Sequence, residues 1–455
     1  MVTDCLLLSH PQPRDTGDYL HRVTLPGQAL ARQMSVAELQ TSHPAWLAHG
    51  LHARLLVVKM VPDSAVLNLI ETRRAAGRPT AFEISDDFRD FPPSSPGHAF
   101  YQATTNQALI EQAARLSHLV QFSSHGLAGK YGHLNPQHVV FANQLADVPA
   151  LPEVDPARLR QPVLGWAGSA GHLEDARQLV AWLRPWYAAR RQAGLVLPSL
   201  HVMAPDSVVA VFLSSGLPVT AQAPGGFDAY LAFLPELDIG LAILGDTDFA
   251  RGRSDGKFLE YASRGAVCVA SAAGEYLHGI RHGETGLLFD GPESLGAHLS
   301  ALVDAAGERL RLRATAHAHV RTMRTHAIAA RERARVYREL LSESESRNVP
   351  AGAGAHLAGC ALQTGCREED PTLHSLCDPT EPRFLEASTL HMRGLVCEAL
   401  EGYLEVVCAH PDFHEPWARS ALIARAMGSE RDAALFEGMA RQALLTQLQT
   451  PAQPA

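Results

Sequence analysis

From residue 52 to about 340, short apolar runs alternate with segments that have the spacing of helices. The runs are continuous rather than interleaved with polar residues, which is typical of strands buried on both faces of a parallel sheet. They lie at 55–61, 80–84, 118–123, 138–142, 163–167, 200–204, 238–244, 266–270 and 286–289. Alternation of strands and helices indicates βαβ units, so we predict an α/β fold with doubly wound parallel sheets.

A proline-rich segment divides this series in two. Residues 145–162 carry prolines at 149, 152, 156 and 162, with strand-like runs on both sides. We interpret the segment as a hinge between two Rossmann-like domains, 1–150 and 151–341. Two such domains that face each other leave a cleft between the carboxyl ends of their strands, where ligands bind in this architecture.

The composition changes again after residue 341. Residues 342–382 are rich in Ser, Gly, Ala, Cys and Pro, which predicts a loose linker. From 383 to 455 the pattern is purely helical, and part of it is similar to a tetratricopeptide repeat. The positions that carry this similarity are Leu390, Gly394, Ala399, Tyr403 and Pro411. Because one repeat is too few to be stable alone, we expect the tail to pack on something else.

Composition and charge narrow the class of protein. Hydrophobic residues make up 46% and charged residues 19% of the 455, which is typical of a soluble globular protein. The net charge of −9 argues against bulk attraction to nucleic acid. The apolar runs are shorter than the roughly 20 residues of a membrane helix. The first residues lack the features of a signal peptide, so we expect a cytoplasmic protein, at most peripheral at the inner membrane surface.

The seven cysteines are scattered without a CxxC pair, which fits a reducing compartment. Cys360, Cys366 and Cys377, with His374 nearby, come closest to a metal-binding cluster. Their spacings match no common zinc pattern, so we predict no metal site and no cofactor.

Residues 251–262, RGRSDGKFLEYA, concentrate cations, glycines and one carboxylate between two predicted strands. A helix that begins past the carboxyl end of a parallel strand directs its free N–H groups and positive dipole end at a ligand. Arg251, Arg253 and Lys257 add positive charge, and Glu260, one turn further, can accept hydrogen bonds from two hydroxyls. A site for phosphate, followed one helical turn later by a site for two hydroxyls, is the arrangement expected for binding the diphosphate and the ribose of a nucleoside diphosphate.

The alternative for this segment is a solvated surface loop. Phe258, Leu259 and Tyr261 surround Glu260, and three large side chains indicate that the start of the helix is covered. We therefore favour phosphate binding.

Two other turns are candidates at the same sheet edge. Residues 165–175 run from a strand into a glycine-rich turn, where Gly168 and Ser169 could approach an anion closely. Glycines also occur in such turns for packing alone, so both interpretations stay open. Glu275 and Tyr276 follow the strand at 266–270 and would face the cleft.

These segments occur in an order that resembles a known family. They are GWAGS at 165–169 with His172 and Asp175, DIGLA at 238–242, RGRSDGKFLEYA at 251–262, GAVCVA at 265–270 and GETGLL at 283–288. Together they look like the donor-binding half of a GT-B glycosyltransferase of the retaining "glycosyl transferases group 1" type, family 4. The resemblance is strong from about 160 to 340, weaker from 52 to 147, and does not extend beyond 342.

This resemblance implies a GT-B fold and roles for several residues. Glu260 would hold the ribose hydroxyls of a nucleotide sugar. The groups that would hold its diphosphate are the amides of Gly168 and Ser169, Lys257, and Arg251 or Arg253. Members of the family need no metal ion, because fixed cations and helix dipoles stabilise the departing diphosphate, and the sugar is transferred with retention.

The chain departs from the common family pattern at one position. That pattern places two glutamates eight positions apart, the first of which contacts the donor sugar, but position 252 here is glycine. A branch of the family carries this version, so activity is still expected. Asp255 or backbone amides near Arg253 would then have to recognise the sugar.

Further candidate catalytic residues follow strands of the first domain, which we expect to bind the acceptor. Asp86 and Asp87 come after the strand at 80–84, where they could orient hydroxyls or, equally, cap a helix. His125 follows the strand at 118–123 and could contact donor or acceptor, or be an ordinary loop residue.

Nine arginines between 308 and 340 could form a cationic face against anionic lipid headgroups, which would suit a lipid-linked acceptor. We favour the alternative of a solvated helix face, in which Glu308, Glu332 and Glu339 pair with arginines.

Three functions agree with this sequence. The first is a glycosyltransferase that moves a sugar from a nucleotide diphosphate sugar to a glycan, lipid or protein acceptor. The second is a sugar-nucleotide epimerase or a phosphorylase, since a fold does not fix the reaction. The third is a non-catalytic nucleotide-binding scaffold whose tail binds a protein partner. Intact Lys257 and Glu260 argue against the third.

Overall fold

The protein is built on two β-sheets. The structure is a computed structural model that describes residues 3–95, 97–347, 374–375, 381–392 and 394–449. The first sheet contains β1 (Cys5–Ser9), β2 (Val36–Gln40), β3 (Leu55–Lys59), β4 (Thr80–Ile84), β5 (Leu119–Phe122) and β6 (His138–Val140). The second contains β7 (Leu164–Ala167), β8 (Leu200–Met203), β9 (Val219–Gln222), β10 (Ile239–Ala242), β11 (Val267–Ser271) and β12 (Leu287–Phe289).

Both sheets are parallel throughout their described strand pairs. The first has the order β2-β1-β3-β4-β5-β6 and the second β12-β11-β10-β7-β8-β9. Alternate residues of β1 enter different hydrophobic clusters: Leu6 and Leu8 lie in one, Cys5 and Leu7 in another. The strands are therefore buried on both faces, and the predicted α/β class is confirmed.

Three of the strands named above are missing from the sequence prediction. β1 is an apolar run that lies ahead of the alternating region. β2 contains the buried carboxylate of Glu38, which pairs with Arg14, so its apolar run is interrupted. β9 is the outermost strand of the second sheet, and every second residue is exposed. A search for continuous apolar runs does not detect strands such as β2 and β9.

Helices flank each sheet. Those of the first are α1 (Gly17–Tyr19), α2 (Leu25–Ala31), α3 (Trp46–His52), α4 (Ser64–Ala75), α5 (His98–Gln102), α6 (Thr104–Leu116) and α7 (His125–Tyr131), and a π-helical turn (Leu20–Thr24) joins α1 to α2. Those of the second are α8 (Pro156–Arg160), α9 (Leu173–Gln192), α10 (Asp206–Leu213), α11 (Phe227–Phe233), α12 (Asp248–Gly252), α13 (Gly256–Arg264), α14 (Tyr276–Gly279), α15 (Pro292–Asp304) and α16 (Ala306–Met323).

The next helix, α17 (His326–Arg347), returns to the first sheet. Tyr337 on this helix is fully buried and donates its hydroxyl to Oε1 of Gln121 on β5 at 2.7 Å. Ala334 and Leu341 join the hydrophobic cluster that contains Cys5. This differs from the predicted domain limit at 341, because α17 packs with the first domain although it follows the second in the chain. It also extends six residues into the predicted linker at 342–382.

The described residues of the tail form four helices, α18 (Glu381–Met392), α19 (Val396–Ala409), α20 (His414–Ala426) and α21 (Glu430–Gln449). A short strand, β13 (His374–Ser375), pairs with β2 at the edge of the first sheet. Phe384, Tyr403 and Phe413 belong to the same cluster as Leu6 and Trp46 of the first domain. The tail thus packs on the first domain, while its assignment as a tetratricopeptide-like unit stays a prediction. The cysteines considered as a metal-binding cluster, Cys360, Cys366 and Cys377, lie outside the described residues, whereas His374 belongs to β13.

The arginine-rich region falls on α16 and α17. Glu308 pairs with Arg311, and Glu332 and Glu339 both pair with Arg335, as the solvated-face interpretation predicts. Lipid contact by this face stays a prediction. Among the described residues, no helix combines the length and the hydrophobicity that crossing a bilayer requires.

The contribution of the tail to the first core can be measured. Phe384 is fully buried and contacts the rings of Tyr403 and Phe413. We expect Phe384→Ala to lower the free energy of unfolding by about 3–5 kcal/mol, because a large core side chain is removed. Leu422→Ala is the control, since Leu422 on α20 is 59% exposed and should change stability by less than about 0.5 kcal/mol. Urea unfolding followed by tryptophan fluorescence reports the change, and equal values for the two variants would contradict the shared core.

Candidate functional site

A cleft of about 230 Å³ lies between the carboxyl ends of the two sheets. Its walls come from both domains, as the two-domain prediction requires. The first domain contributes the start of α1 and residues that follow β4 and β5, including Asp86 and Ser123. The second contributes the segment from Arg253 to Glu260. The residues that line the cleft therefore come from segments that are distant in the chain.

Lys257 lies in the first turn of α13, where the amides of the helix have no partner within the helix. Its Nζ atom is enclosed and has no hydrogen-bond partner among the described residues. It lies 5.2 Å from the ring centre of Trp166. Burial lowers the pKa of Lys257 to about 8, although Asp175 opposes this effect. A cation held in this way, next to a helix N-terminus, favours binding of an anion.

Arg253 joins the two walls of the cleft. Its guanidinium lies 3.3 Å from Oδ1 of Asp86 in the first domain and 3.4 Å from Nε2 of His172 in the second. Burial and the neighbouring Lys257 lower the pKa of His172 to about 4, so its ring is neutral at pH 7. Nδ1 of His172 lies 2.7 Å from Oδ2 of Asp175, which leaves Nε2 to accept from Arg253.

Glu260 is 8% exposed and is held from both domains. The hydroxyl of Tyr230 on α11 donates to its Oε2 at 2.7 Å, and Nε2 of His21 lies 3.3 Å from its Oε1. Burial and the adjacent Glu260 raise the pKa of Tyr230 well above its ordinary value, so Tyr230 remains a donor. The sequence analysis missed His21 and Tyr230, because neither lies in a segment with a chemical motif.

Several predicted phosphate contacts do not lie in the cleft. Arg251 is 58% exposed and pairs with Asp246 and Asp248. The amide of Gly168 donates to the carbonyl oxygen of Met203 at 3.1 Å, so it is not free to bind an anion. Ser169 is exposed and lies outside the residues that line the cleft. Of the predicted cations, Arg253 and Lys257 are the two that line it.

The two adjacent aspartates after β4 have different roles. Asp86 faces the cleft, and burial raises the pKa of its carboxyl in spite of Arg253. Asp87 is fully buried, accepts from Lys130 at 2.6 Å and from the hydroxyl of Tyr131, and caps the amide of Arg89. No helix begins between Ser85 and Ser95, so Asp87 holds a turn and caps no helix. Its carboxylate lies outside the residues that line the cleft.

Asp255 is also buried away from the cleft. It is fully buried, and its Oδ2 lies 2.8 Å from Nη1 of Arg324 at the end of α16. Burial raises the pKa of Asp255, and the pairing with Arg324 opposes that rise. The expected role of Asp255 in sugar recognition does not fit this placement, which instead anchors the start of α13.

The glycine at 252 is explained by the contact between the domains. A Cβ atom at position 252 would lie 2.9 Å from Cδ2 of Leu127 on α7. Facing it, a Cβ atom at position 126 would lie 1.9 Å from the carbonyl oxygen of Arg251. The hydroxyl of Ser124 donates to the carbonyl oxygen of Gly252 at 2.8 Å. Helices α7 and α12 thus meet through their backbones. The strict requirement for glycine is at position 126, because its neighbour is a backbone carbonyl, whereas a Cβ atom at position 252 would meet the end of a leucine side chain.

His125 and Glu275 lie next to this contact, outside the residues that line the cleft. Glu275 accepts from the amide of His125 at 2.8 Å, and its other oxygen lies 2.8 Å from Nδ1 of that residue. Their predicted roles toward the donor or acceptor are therefore not supported by their positions. Tyr276, which follows Glu275, lines the cleft and is 3% exposed.

Comparison with known proteins identifies the fold. No protein-family model and no curated protein sequence matches the chain. Among solved structures, HepE of Anabaena is similar with a TM-score of 0.53 and 13% identity, over 74% of this chain and all of HepE. Sucrose-phosphate synthase of Thermosynechococcus elongatus is similar with a TM-score of 0.56 and 12% identity, over 75% of this chain and all of that enzyme.

A third neighbour is the UDP-forming trehalose-phosphate synthase of Burkholderia xenovorans. Its TM-score is 0.50 and its identity 10%, over 74% of this chain and 99% of that enzyme. HepE has been solved with UDP and with UDP-glucose. At such low identities these similarities establish the fold, and the predicted GT-B architecture is confirmed.

Lys257 carries a buried charge without a hydrogen-bond partner among the described residues, so we expect its replacement by an uncharged residue to stabilise the protein. Since its pKa is lowered to about 8 in the folded state, the folded protein disfavours the protonated form. This cost is complete below pH 8 and disappears as the pH rises toward the ordinary pKa of 10.5. We expect Lys257→Met to raise the free energy of unfolding at pH 7 by about 2 kcal/mol, and by less at pH 10.

The matched control is Lys130→Met. Lys130 pairs with Asp87 and Asp90, so the same substitution there should lower stability. Urea unfolding of both variants at the two pH values gives the comparison. A loss of stability in Lys257→Met at pH 7 would show that its charge is compensated.

The backbone contact between the domains gives a second prediction. Gly126→Ala would place a methyl group against the carbonyl of Arg251, so we expect the domains to separate and the radius of gyration to increase in small-angle X-ray scattering. Gly129→Ala on the same helix is the control, because a Cβ atom there meets no heavy atom within 4 Å. Identical scattering from the two variants would refute the contact.

Proposed function

We propose that this protein is a retaining glycosyltransferase of the family 4 type, which transfers a sugar from a nucleotide diphosphate sugar to a glycan, lipid or protein acceptor. The observation that carries the proposal is the arrangement on α13. Lys257 is enclosed without a partner among the described residues, and Glu260 lies one turn further along the same cleft wall. An anion followed by a pair of hydroxyls fits this spacing.

The diphosphate would lie between the start of α13 and Arg253. Binding there would supply the missing partner of Lys257 and let Arg253 exchange part of its contact with Asp86 for a phosphate oxygen. As the bond to the sugar breaks, negative charge grows on the leaving phosphate. Lys257, Arg253 and the helix dipole are fixed close to that charge, so they would stabilise it without reorganisation.

The ribose would bind to Glu260. Both carboxylate oxygens now face Tyr230 and His21, so the ribose hydroxyls would replace one or both of these contacts. Since His21 belongs to the first domain and Glu260 to the second, nucleotide binding would couple to the relative position of the domains. The complexes of HepE with UDP and UDP-glucose support a nucleotide sugar as the ligand of this fold.

The donor sugar cannot be recognised by a side chain at position 252. Two carboxylates of the first domain line the cleft, Asp18 and Asp86. Asp18 pairs with Lys59 of its own domain, whereas Asp86 lies within reach of Arg253 across the cleft. We assign to Asp86 the orientation of sugar or acceptor hydroxyls. Retention of configuration rests on the family resemblance of the donor half.

A non-catalytic nucleotide-binding protein is the second candidate. The observation that favours it is glycine at position 252, which lacks the side chain of the usual sugar contact. This candidate would bind nucleotide through the same residues but would never release a nucleoside diphosphate from a nucleotide sugar.

Thermal unfolding with nucleotides tests the donor site. At 100 times its dissociation constant, a ligand should stabilise the protein by about 2.7 kcal/mol. We expect UDP or GDP to give such a shift in the native protein and little or none in Glu260→Gln, which loses the charge that receives the ribose. Glu284→Gln is the control, because Glu284 is exposed and lies outside the cleft.

Turnover separates the two candidates. The sugar conjugate of the stabilising nucleotide is incubated with the protein and a mixture of glycan, lipid and peptide acceptors, and release of nucleoside diphosphate is followed. Release that falls in Asp86→Asn supports transfer. Binding without release under all conditions favours the non-catalytic candidate, and absence of any nucleotide shift refutes both.

A further inference from the structure

Three potential metal ligands from both domains meet beside the backbone contact. They are His125 at the start of α7, and Glu275 and His278 at the start and within the single turn of α14. One ligand atom from each lies within 4.8 Å of the others. Both histidines are exposed, and Glu275 is 2% exposed. The cluster is separate from the cleft, since none of the three lines it.

The two imidazole rings are stacked on each other. Their centres are 4.2 Å apart and the angle between the ring planes is 24°. Nδ1 of His125 lies 2.8 Å from Oε1 of Glu275, an approach that a shared proton or a shared metal ion would each explain. The other oxygen of Glu275 accepts from the amide of His125, so the carboxylate is fixed while the histidine rings can adjust.

The ligand set selects a class of ion. Two imidazoles and one carboxylate suit zinc, cobalt or nickel, whereas magnesium and calcium prefer oxygen ligands. Bond lengths of about 2.0–2.2 Å require the ligand atoms to approach one another more closely than 4.8 Å, and rotation of the exposed rings can supply that movement. Three protein ligands leave a fourth position for water on the solvent side.

We propose that His125, Glu275 and His278 form a binding site for a zinc-type divalent cation that fastens the two domains together. His125 belongs to the first domain, and the other two ligands belong to the second. An ion that needs all three ligands binds tightly only when the two domains are in contact, as they are in this structure. It therefore stabilises that arrangement by the difference between its affinities for the joined and the separated domains. The proposal does not depend on the reaction performed in the cleft.

Zinc binding to the full-length protein tests this site. After treatment with a chelator and its removal, the protein is titrated with ZnCl2 by isothermal calorimetry, and with CoCl2 while the visible absorption is recorded. We expect one site of micromolar or tighter affinity, with cobalt bands in the visible region. His278→Ala and His125→Ala should each weaken zinc binding by at least about tenfold, because each removes one of three ligands.

Controls are needed because the chain contains 23 histidines. His133→Ala removes an exposed histidine of the same domain that is outside the cluster, and it should bind zinc as the native protein does. Glu275→Gln keeps an acceptor for the amide of His125 but removes the carboxylate, and it should also bind more weakly. Equal affinity in all variants, or no saturable site in the native protein, would overturn the proposal.

Discussion

The contact between α7 and α12 is the constraint on which the site depends. The two helices approach backbone to backbone because positions 126 and 252 carry no side chain, and Ser124 then reaches the carbonyl oxygen of Gly252. This approach brings Arg253 within 3.3 Å of Asp86. Further along the cleft it brings Glu260 within 3.3 Å of His21. Without this contact the residues of each cleft wall would face solvent, and exposed ion pairs contribute little to stability.

The same contact gives Gly252 a structural role that the sequence alone does not indicate. From the sequence, glycine at this position indicates the loss of a sugar-binding glutamate. In the structure, the glycine also lies in the contact between the domains, where the end of the Leu127 side chain packs beside it. Recognition of a sugar would therefore shift to the first domain, where Asp86 lies across the cleft. The glycine that removes the sugar-binding glutamate at position 252 therefore lies in the same contact that brings Asp86 to the opposite wall of the cleft.

Sequence analysis predicted the fold and the part of the site that is local in the chain. Lys257 and Glu260 lie one helical turn apart, so a motif and helical periodicity suffice to place them on one face. His21 and Tyr230 reach Glu260 from distant elements, and only the assembled structure brings them together. The amide of Gly168 was assigned to an anion, but the neighbouring β8 supplies a carbonyl acceptor at Met203. Partners of this kind depend on strand order, which periodicity does not reveal.

The placement of α17 and the tail bears on how the cleft can open. Helix α17 follows the second domain in sequence, but Tyr337 is buried against the first sheet and bonded to Gln121. The chain therefore passes between the domains twice, once near 145–162 and once near 324–326, where Leu145 and Thr325 form a β-bridge. Two adjacent crossings restrain the relative rotation of the domains more than a single linker would, and Arg324 at the second crossing pairs with Asp255 just before α13. The tail then enlarges the core of the first domain through Phe384 and Tyr403.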